Sequence, residues 1–469
     1  MTTRARLAIL STIAAIAGFP ANAASDVTPE RRAEHLASFD QVWETIRDRQ
    51  WDPYFNFREW DRLRLELRPN VEAARNDWEA RAPMQELLAS LGKSHFGIIP
   101  AEAYDVLSGD DEDGADSAES SDAESEAADS GEPVMDDAGD TETDNADDED
   151  AGPGDLGIHP RYRDGKLVVV RVREGSPADL AGIEPGWVIT RIGSLDDDEL
   201  FEAAHESAGV ERAETIIAMG AAARLNGDEG TDVEIGFIDT RGNTHTLEIE
   251  RGPEPGEEIR FGNLPGTRVL QESRTLESGV GYYTLDIFLN PPLVMPTFER
   301  FVREHIDAPG IVIDMRGNLG GIIPMAMGIG GWFVDEPNIY LGELITPDSR
   351  LKLVMNPRDV TYEGPVAVLI DEVSISNAEL LSAGLKDIGR ARVFGNRTAG
   401  LLLPSVVELL PNGDGFQYAF AGYESASGSS PEGVGVVPDV EVLETPESLA
   451  GGRDPVLEAA LEWIADETN

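Results

Sequence analysis

Residues 365–381 read PVAVLIDEVSISNAELL. Val366–Ile370 are five apolar residues in a row, a length and composition that suit a strand buried on both faces. The run empties through Asp371 and Glu372 into Ser374 and Ser376, and a helix is expected from Asn377. A buried strand passing directly into a helix is the repeating unit of an α/β core, and the alternation recurs around it. GVGYYTLDIF, PGIVIDMRG and RARVFG read as further strands, 296–305, 322–332 and 377–388 as helices, and 455–465 as a closing helix. The expected fold class is therefore α/β, with residues 253–469 as its core.

A serine at the start of a helix is most simply a cap. Ser376 also suits a nucleophile, because unpaired amides and the helix dipole favour the negative charge that develops there. The turn follows the logic of the hydrolase nucleophile elbow, although no GxSxG is present. A nucleophilic serine needs a base, a group that orients the base, and donors for the oxyanion. Ser374, two residues earlier, reads as structural. The stretch VIDMRGNLGG, 312–321, is a second buried strand ending in a glycine-rich loop that lets backbone approach a ligand. Its Asp314 and Arg316 could equally form a structural ion pair.

Few residues can serve as the base. Cysteine is absent and there are four lysines; Lys386 lies about 15 Å along the helix from Ser376, out of reach. Of the six histidines, His35, His205 and His305 fall in expected helices, and His159 and His245 on expected strands. His95 differs: it sits in the turn GKSHFGIIP, after a helix that ends at Leu91, with Ser94 before it.

The rest of the chain divides by composition. Residues 1–23 carry Arg4 and Arg6, an apolar run from Leu7 to Phe19 and the small-residue pattern Ala21-Asn22-Ala23, features of a secretory signal cut before Ala24. The run is short for a membrane span. An exported protein, periplasmic or extracellular, is expected. Residues 24–105 carry apolar residues at helical spacing, Leu36, Phe39, Val42, Trp43 and Ile46 among them, and form a helical region. Residues 106–155 are an acidic insert: from Asp110 to Asp155, 21 of the residues are Asp or Glu and none is Lys or Arg, so too little apolar surface is available to offset ordering. A net charge of −52 argues against nucleic acid, whose binding needs a cationic surface, and disfavours anionic membranes.

Residues 156–252 hold the strand LVVVRV, the turn EGSPADLAGIEPGWVITRIG, helical material over 200–225, and the strands TDVEIGFID and THTLEIER. This unit resembles a PDZ domain, which implies that the loop Leu156, Gly157 and Ile158 holds a peptide carboxy-terminus. A scaffold that binds nothing is the alternative.

The motifs DMRGNLGG, EVSISNAELLSAGLKDIGRARVFGNRTAG and EGVGVVPDVEV occur in that order, and together resemble the carboxy-terminal processing, or tail-specific, serine proteases. That resemblance implies a ClpP/crotonase-like core. In one branch of the family a lysine 25 residues after the serine is the base; here that position is Leu401. The phrase around His95 instead resembles the branch typified by the tricorn protease core, with a Ser-His-Ser-Glu set. It implies Ser376 as nucleophile, His95 as base, Ser94 as its neighbour and Glu432 as the distant acid, with Glu379 a rival for that role. Oxyanion donors are expected from Gly321 and Asn377, with Gly320 the alternative.

The chain is thus expected to be a peptidase acting through an acyl-enzyme on unfolded or carboxy-terminal polypeptide segments, without metal or cofactor. Two alternatives use the same fold or parts: a non-catalytic binding protein, as in the interphotoreceptor retinoid-binding family, and a peptide-sensing scaffold with Ser376 idle.

Overall fold

The structure is a computed structural model that describes residues 27–105, 152–196 and 210–468. The expected signal segment, His205 and nearly all of the expected acidic insert lie outside the described residues. No described helix is long and apolar enough to cross a membrane.

The chain starts with three helices, α1 (Pro29–Arg49), α2 (Phe57–Ala73) and α3 (Asp77–Ala89). Each begins at a residue whose side chain accepts an amide of the first turn, Thr28, Asn56 and Asn76. Phe39, Val42, Trp60, Leu67, Met84 and Leu87 are buried between them. The same apolar cluster continues into Leu403, Leu410, Phe416 and Tyr418, more than 300 positions further along the chain. After α3 comes a turn and then β1 (Gly97–Ile99), which pairs antiparallel with the strand Gly415–Ala419, Ile98 opposite Phe416. The Ser94–His95 turn is therefore held between a helix of the front end and a strand added to the core.

The middle unit carries a six-stranded antiparallel sheet, 158–163, 166–172, 188–192, 232–238 and 244–250 in that order with the short strand Leu195–Asp196 paired to 188–192, and the helix Val210–Leu225 lies against the strand 158–163. Pro153–Asp155, at the end of the stretch read as an insert, form a short strand paired with Gly252–Pro253. The apolar core of this unit takes in Val373, Ile375 and Leu401, so it packs on the segment that carries Ser376.

The core sheet has six strands: β2 (Gln271–Thr275), β3 (Gly281–Leu285), β4 (Ile311–Asp314), β5 (Val366–Ile370), β6 (Arg392–Gly395) and β7 (Val440–Glu441), in that order. β2 and β3 are antiparallel and the remaining pairs parallel. Helices 291–304, 323–330 and 377–387 cover one face and 455–468 the other. Every residue of β5 is buried, as the opening apolar run requires. The first of these helices starts at Pro291 rather than 296, because Pro291 and Pro292 occupy a first turn that needs no amide. The pairs of strands 339–345 with 350–355 and 405–409 with 415–419 have no counterpart in the sequence reading; their alternation is weak and their partners distant.

Candidate active site

β5 ends at Ile370, and the chain turns through 371–376 into the helix Asn377–Asp387. Ser376 stands at that turn with φ 55° and ψ −115°. His95 has φ 59°. Both are L-residues held in a region that costs about 1–3 kcal/mol each and persists only where surrounding contacts enforce it. Ser374 is fully buried, donates to the Met315 carbonyl at 2.7 Å and accepts from the Asp371 amide at 2.9 Å. It is a structural brace, as expected.

Ser94, His95 and Glu432 meet. The Ser94 hydroxyl lies 2.8 Å from His95 Nδ1 and 2.8 Å from Glu432 Oε2, and the Ser94 amide donates to Glu432 Oε1 at 2.9 Å. A hydroxyl has one proton, and Glu432 as a carboxylate can only accept. Ser94 therefore donates to Glu432 and accepts from His95 Nδ1–H, which leaves the lone pair on Nε2.

The segment 398–402 joins this cluster to Ser376. The Ser376 amide donates to the Leu401 carbonyl at 3.0 Å, and one residue on the Leu402 amide donates to Glu432 Oε2 at 3.0 Å. Glu379, the rival acid, holds the other side of that segment. Its carboxylate accepts from Thr398 Oγ1 at 2.6 Å and from the amides of Gly400, Leu401 and Ser376 at 2.8, 2.9 and 3.0 Å. It faces backbone rather than His95. Burial pushes its pKa up to about 7, against the opposing pull of those four donors. Leu401, at the position where the related branch has lysine, is buried with Val373 and Ile375 in the core of the middle unit.

The glycine loop lies against Ser376: a Cβ on Gly320 would come within 2.5 Å of Ser376 Cβ and 3.0 Å of its Oγ. The Gly320 amide is already used, donating to Asn318 Oδ1 at 2.8 Å. Among the described residues the amides of Gly321 and Asn377 donate no hydrogen bond within the protein. They are the pair left for an oxyanion.

Three positioning groups escaped the sequence reading. Asn318 is fully buried, donates from Nδ2 to the Leu285 carbonyl at 2.6 Å and accepts the Ile375 amide on its own carbonyl at 2.9 Å. Asp371 accepts the Gly317 amide at 3.0 Å and is paired with Arg161, from the middle unit, at 2.6 Å. Burial alone would raise the Asp371 pKa, but the Arg161 guanidinium and the Gly317 amide hold it below the usual carboxylate range. Thr398 accepts the Val436 amide at 2.7 Å while donating to Glu379. The N of RGNLGG and the two acids after β5 were visible, but their partners came from segments far away in sequence. Asp314 and Arg316 do form an ion pair, 2.7 Å long and buried, with Glu444 and Asp454 also on the guanidinium.

The loop Leu156–Ile158 is not part of this cluster. Leu156 is buried, its carbonyl accepts the Ala178 amide, and the Gly157 amide donates to Asp155 Oδ1 at 2.9 Å. His35 pairs with Asp77, His245 with Asp239 and His305 with Thr275, and His159 lies on the strand 158–163.

Residues 279–442 match the model of peptidase family S41. Over 429 residues the chain is 24% identical to carboxyl-terminal-processing peptidase 3 of Arabidopsis thaliana, covering 90% of this chain and 71% of the relative. It is 30% identical over 294 residues to peptidase 2 of that plant, covering 60% and 51%. Against putative tricorn protease homolog 2 of Streptomyces coelicolor it is 24% identical over 468 residues, 93% of this chain but 33% of the relative. The chain thus spans a half and a third of the latter two. Among solved structures, the photosystem II D1 C-terminal processing protease aligns over 94% of this chain and 99% of its own, with a TM-score of 0.54 at 19% identity; at that identity the likeness speaks to fold alone. The family match at 279–442 and the likeness to these peptidases over nearly the whole length of the chain support a serine peptidase.

Proposed function

We propose that the chain is an exported serine peptidase that cleaves unfolded or carboxy-terminal polypeptide segments, with Ser376 as nucleophile and His95 as base. The observation that carries this reading is the Ser94 hydroxyl, bonded at once to His95 Nδ1 and to Glu432. It leaves Nε2 as the basic nitrogen. Export rests on the pattern of residues 1–23, and the choice of substrate on the carboxyl-terminal-processing relatives.

In the acylation step Nε2 of His95 takes the Ser376 hydroxyl proton as Oγ attacks the scissile carbonyl carbon. The C=O electron pair moves onto oxygen, where the Gly321 and Asn377 amides meet it. Collapse breaks the C–N bond, and the imidazolium returns the proton to the leaving amine. Water then repeats the sequence on the ester, releasing a carboxylate and restoring the serine. Proton transfer of this kind commonly contributes 10²- to 10⁴-fold, and one oxyanion donor about 2.7–4 kcal/mol. Glu432 acts through Ser94, orienting the ring and stabilising its charged form.

Labelling with a fluorophosphonate probe tests the assignment. Wild type should label, and Ser376→Ala and His95→Ala should not; labelling that survives both substitutions refutes it.

A further inference from the structure

The front end holds a cavity of about 630 Å³ that the proposed mechanism does not use. Its size falls within the range of small-ligand sites, roughly 300–1,000 Å³. Its floor is aromatic: Phe55, Trp60 and Phe96 line it, with Phe55 and Trp60 in ring contact at 5.7 Å. Its rim carries Asp52, Glu59 and Glu86, with Glu59 paired to Arg62 at 2.6 Å. The lysine of the wall, Lys93, is already engaged, 3.1 Å from Asp52 and 5.0 Å above the Trp51 ring. Glu86 is exposed and has no ionic partner among the described residues. An apolar floor under carboxylates suits a side chain with an aliphatic stem and a cationic head, which aromatic faces also attract. With Asp52 held by Lys93 and Glu59 by Arg62, the negative charge of the rim that has no ionic partner among the described residues is that of Glu86.

The wall residues Lys93 and Phe96 stand on either side of Ser94 and His95 in sequence. Whatever fills the cavity thus touches both flanks of the strained turn that carries the proposed base. Resting on the serine-peptidase reading above, we propose that this cavity docks an arginine or lysine side chain, with apolar neighbours, of the polypeptide substrate. It makes the protein selective for basic, apolar segments, in keeping with a net charge of −52 that draws cations toward the surface.

Calorimetric titration of full-length Ser376→Ala protein with acetyl-LRFRL-amide and with its acidic counterpart acetyl-LEFEL-amide tests this. The basic peptide should bind at least tenfold more tightly than the acidic one. Ala82→Trp, an exposed position on the cavity wall, should plug the site, and Glu86→Lys should reverse its rim; each should weaken the basic peptide at least tenfold. A smaller loss in either variant, or equal binding of the two peptides, overturns the proposal. Fluorophosphonate labelling of the wild-type chain, run in parallel, reads the peptidase assignment separately. Loss of labelling with retained peptide selectivity refutes only the catalytic reading, and the converse refutes only the docking site.

Discussion

The Ser94 hydroxyl and the Glu432 carboxylate, 338 positions apart in sequence, are 2.8 Å apart in space. That bond closes the helical front end onto the late loop of the core and fixes which nitrogen of His95 is basic. Removing it by Ser94→Ala should leave the fold intact and lower kcat by roughly 10²-fold with little change in KM, since the loss falls on proton transfer and not on binding. Steady-state kinetics on a peptide substrate would check this. Glu432→Gln should act in the same direction, and a threonine at 94, which keeps the hydroxyl, should recover most of the rate.

Gly320 sits with φ 90° and its missing Cβ would press to 2.5 Å from that of Ser376. Gly320→Ala should therefore abolish turnover and fluorophosphonate labelling together, at a stability cost of about 1–3 kcal/mol. Retained labelling alongside an unchanged melting temperature would contradict the close approach.

Glu379 is fully buried and its pKa is raised from the ordinary 4.5 to about 7. The folded chain therefore keeps this proton over a range where the unfolded chain has lost it. The associated stability is present below about pH 4.5 and is lost as pH rises through 7, on the order of 3 kcal/mol at about 1.4 kcal/mol per unit. Denaturant titrations of wild type and Glu379→Gln at pH 5 and pH 8 should show the wild type losing ground to the variant on the alkaline side. Parallel curves would remove Glu379 as the titrating group.

Arg161 and Asp371 form a buried pair between the middle unit and the turn that carries Ser376, at 2.6 Å. Arg161→Met leaves Asp371 charged and without its guanidinium, next to Glu372 and its remaining partner Arg163. Breaking such a pair typically costs about 3–5 kcal/mol, so a fall in melting temperature is expected, together with lower kcat because Asp371 also holds the Gly317 amide. Thermal unfolding and turnover measured on one preparation would separate the two effects.

Local chemistry wrote the central strand and the helix start. Val366–Ile370 has no polar residue to place at a surface, and Ser376 precedes a run with helical character, so strand, turn and helix follow from neighbours in the chain. The glycines of 317–321 likewise announce a backbone that must come close to something. The sequence also exposed a vacancy, since Leu401 stands where a lysine base is found in related chains, and His95 was the histidine whose surroundings were not explained by a helix or strand. What the residues could not settle was meeting. That His95 Nδ1 faces Ser94, that Glu432 and not Glu379 completes the group, and that Gly320 has spent its amide on Asn318 depend on β1 joining the strand 415–419 and on the middle unit packing against Val373 and Ile375. Those are contacts between distant segments, set by burial and by hydrogen bonds that have no signature in the spacing of either partner alone.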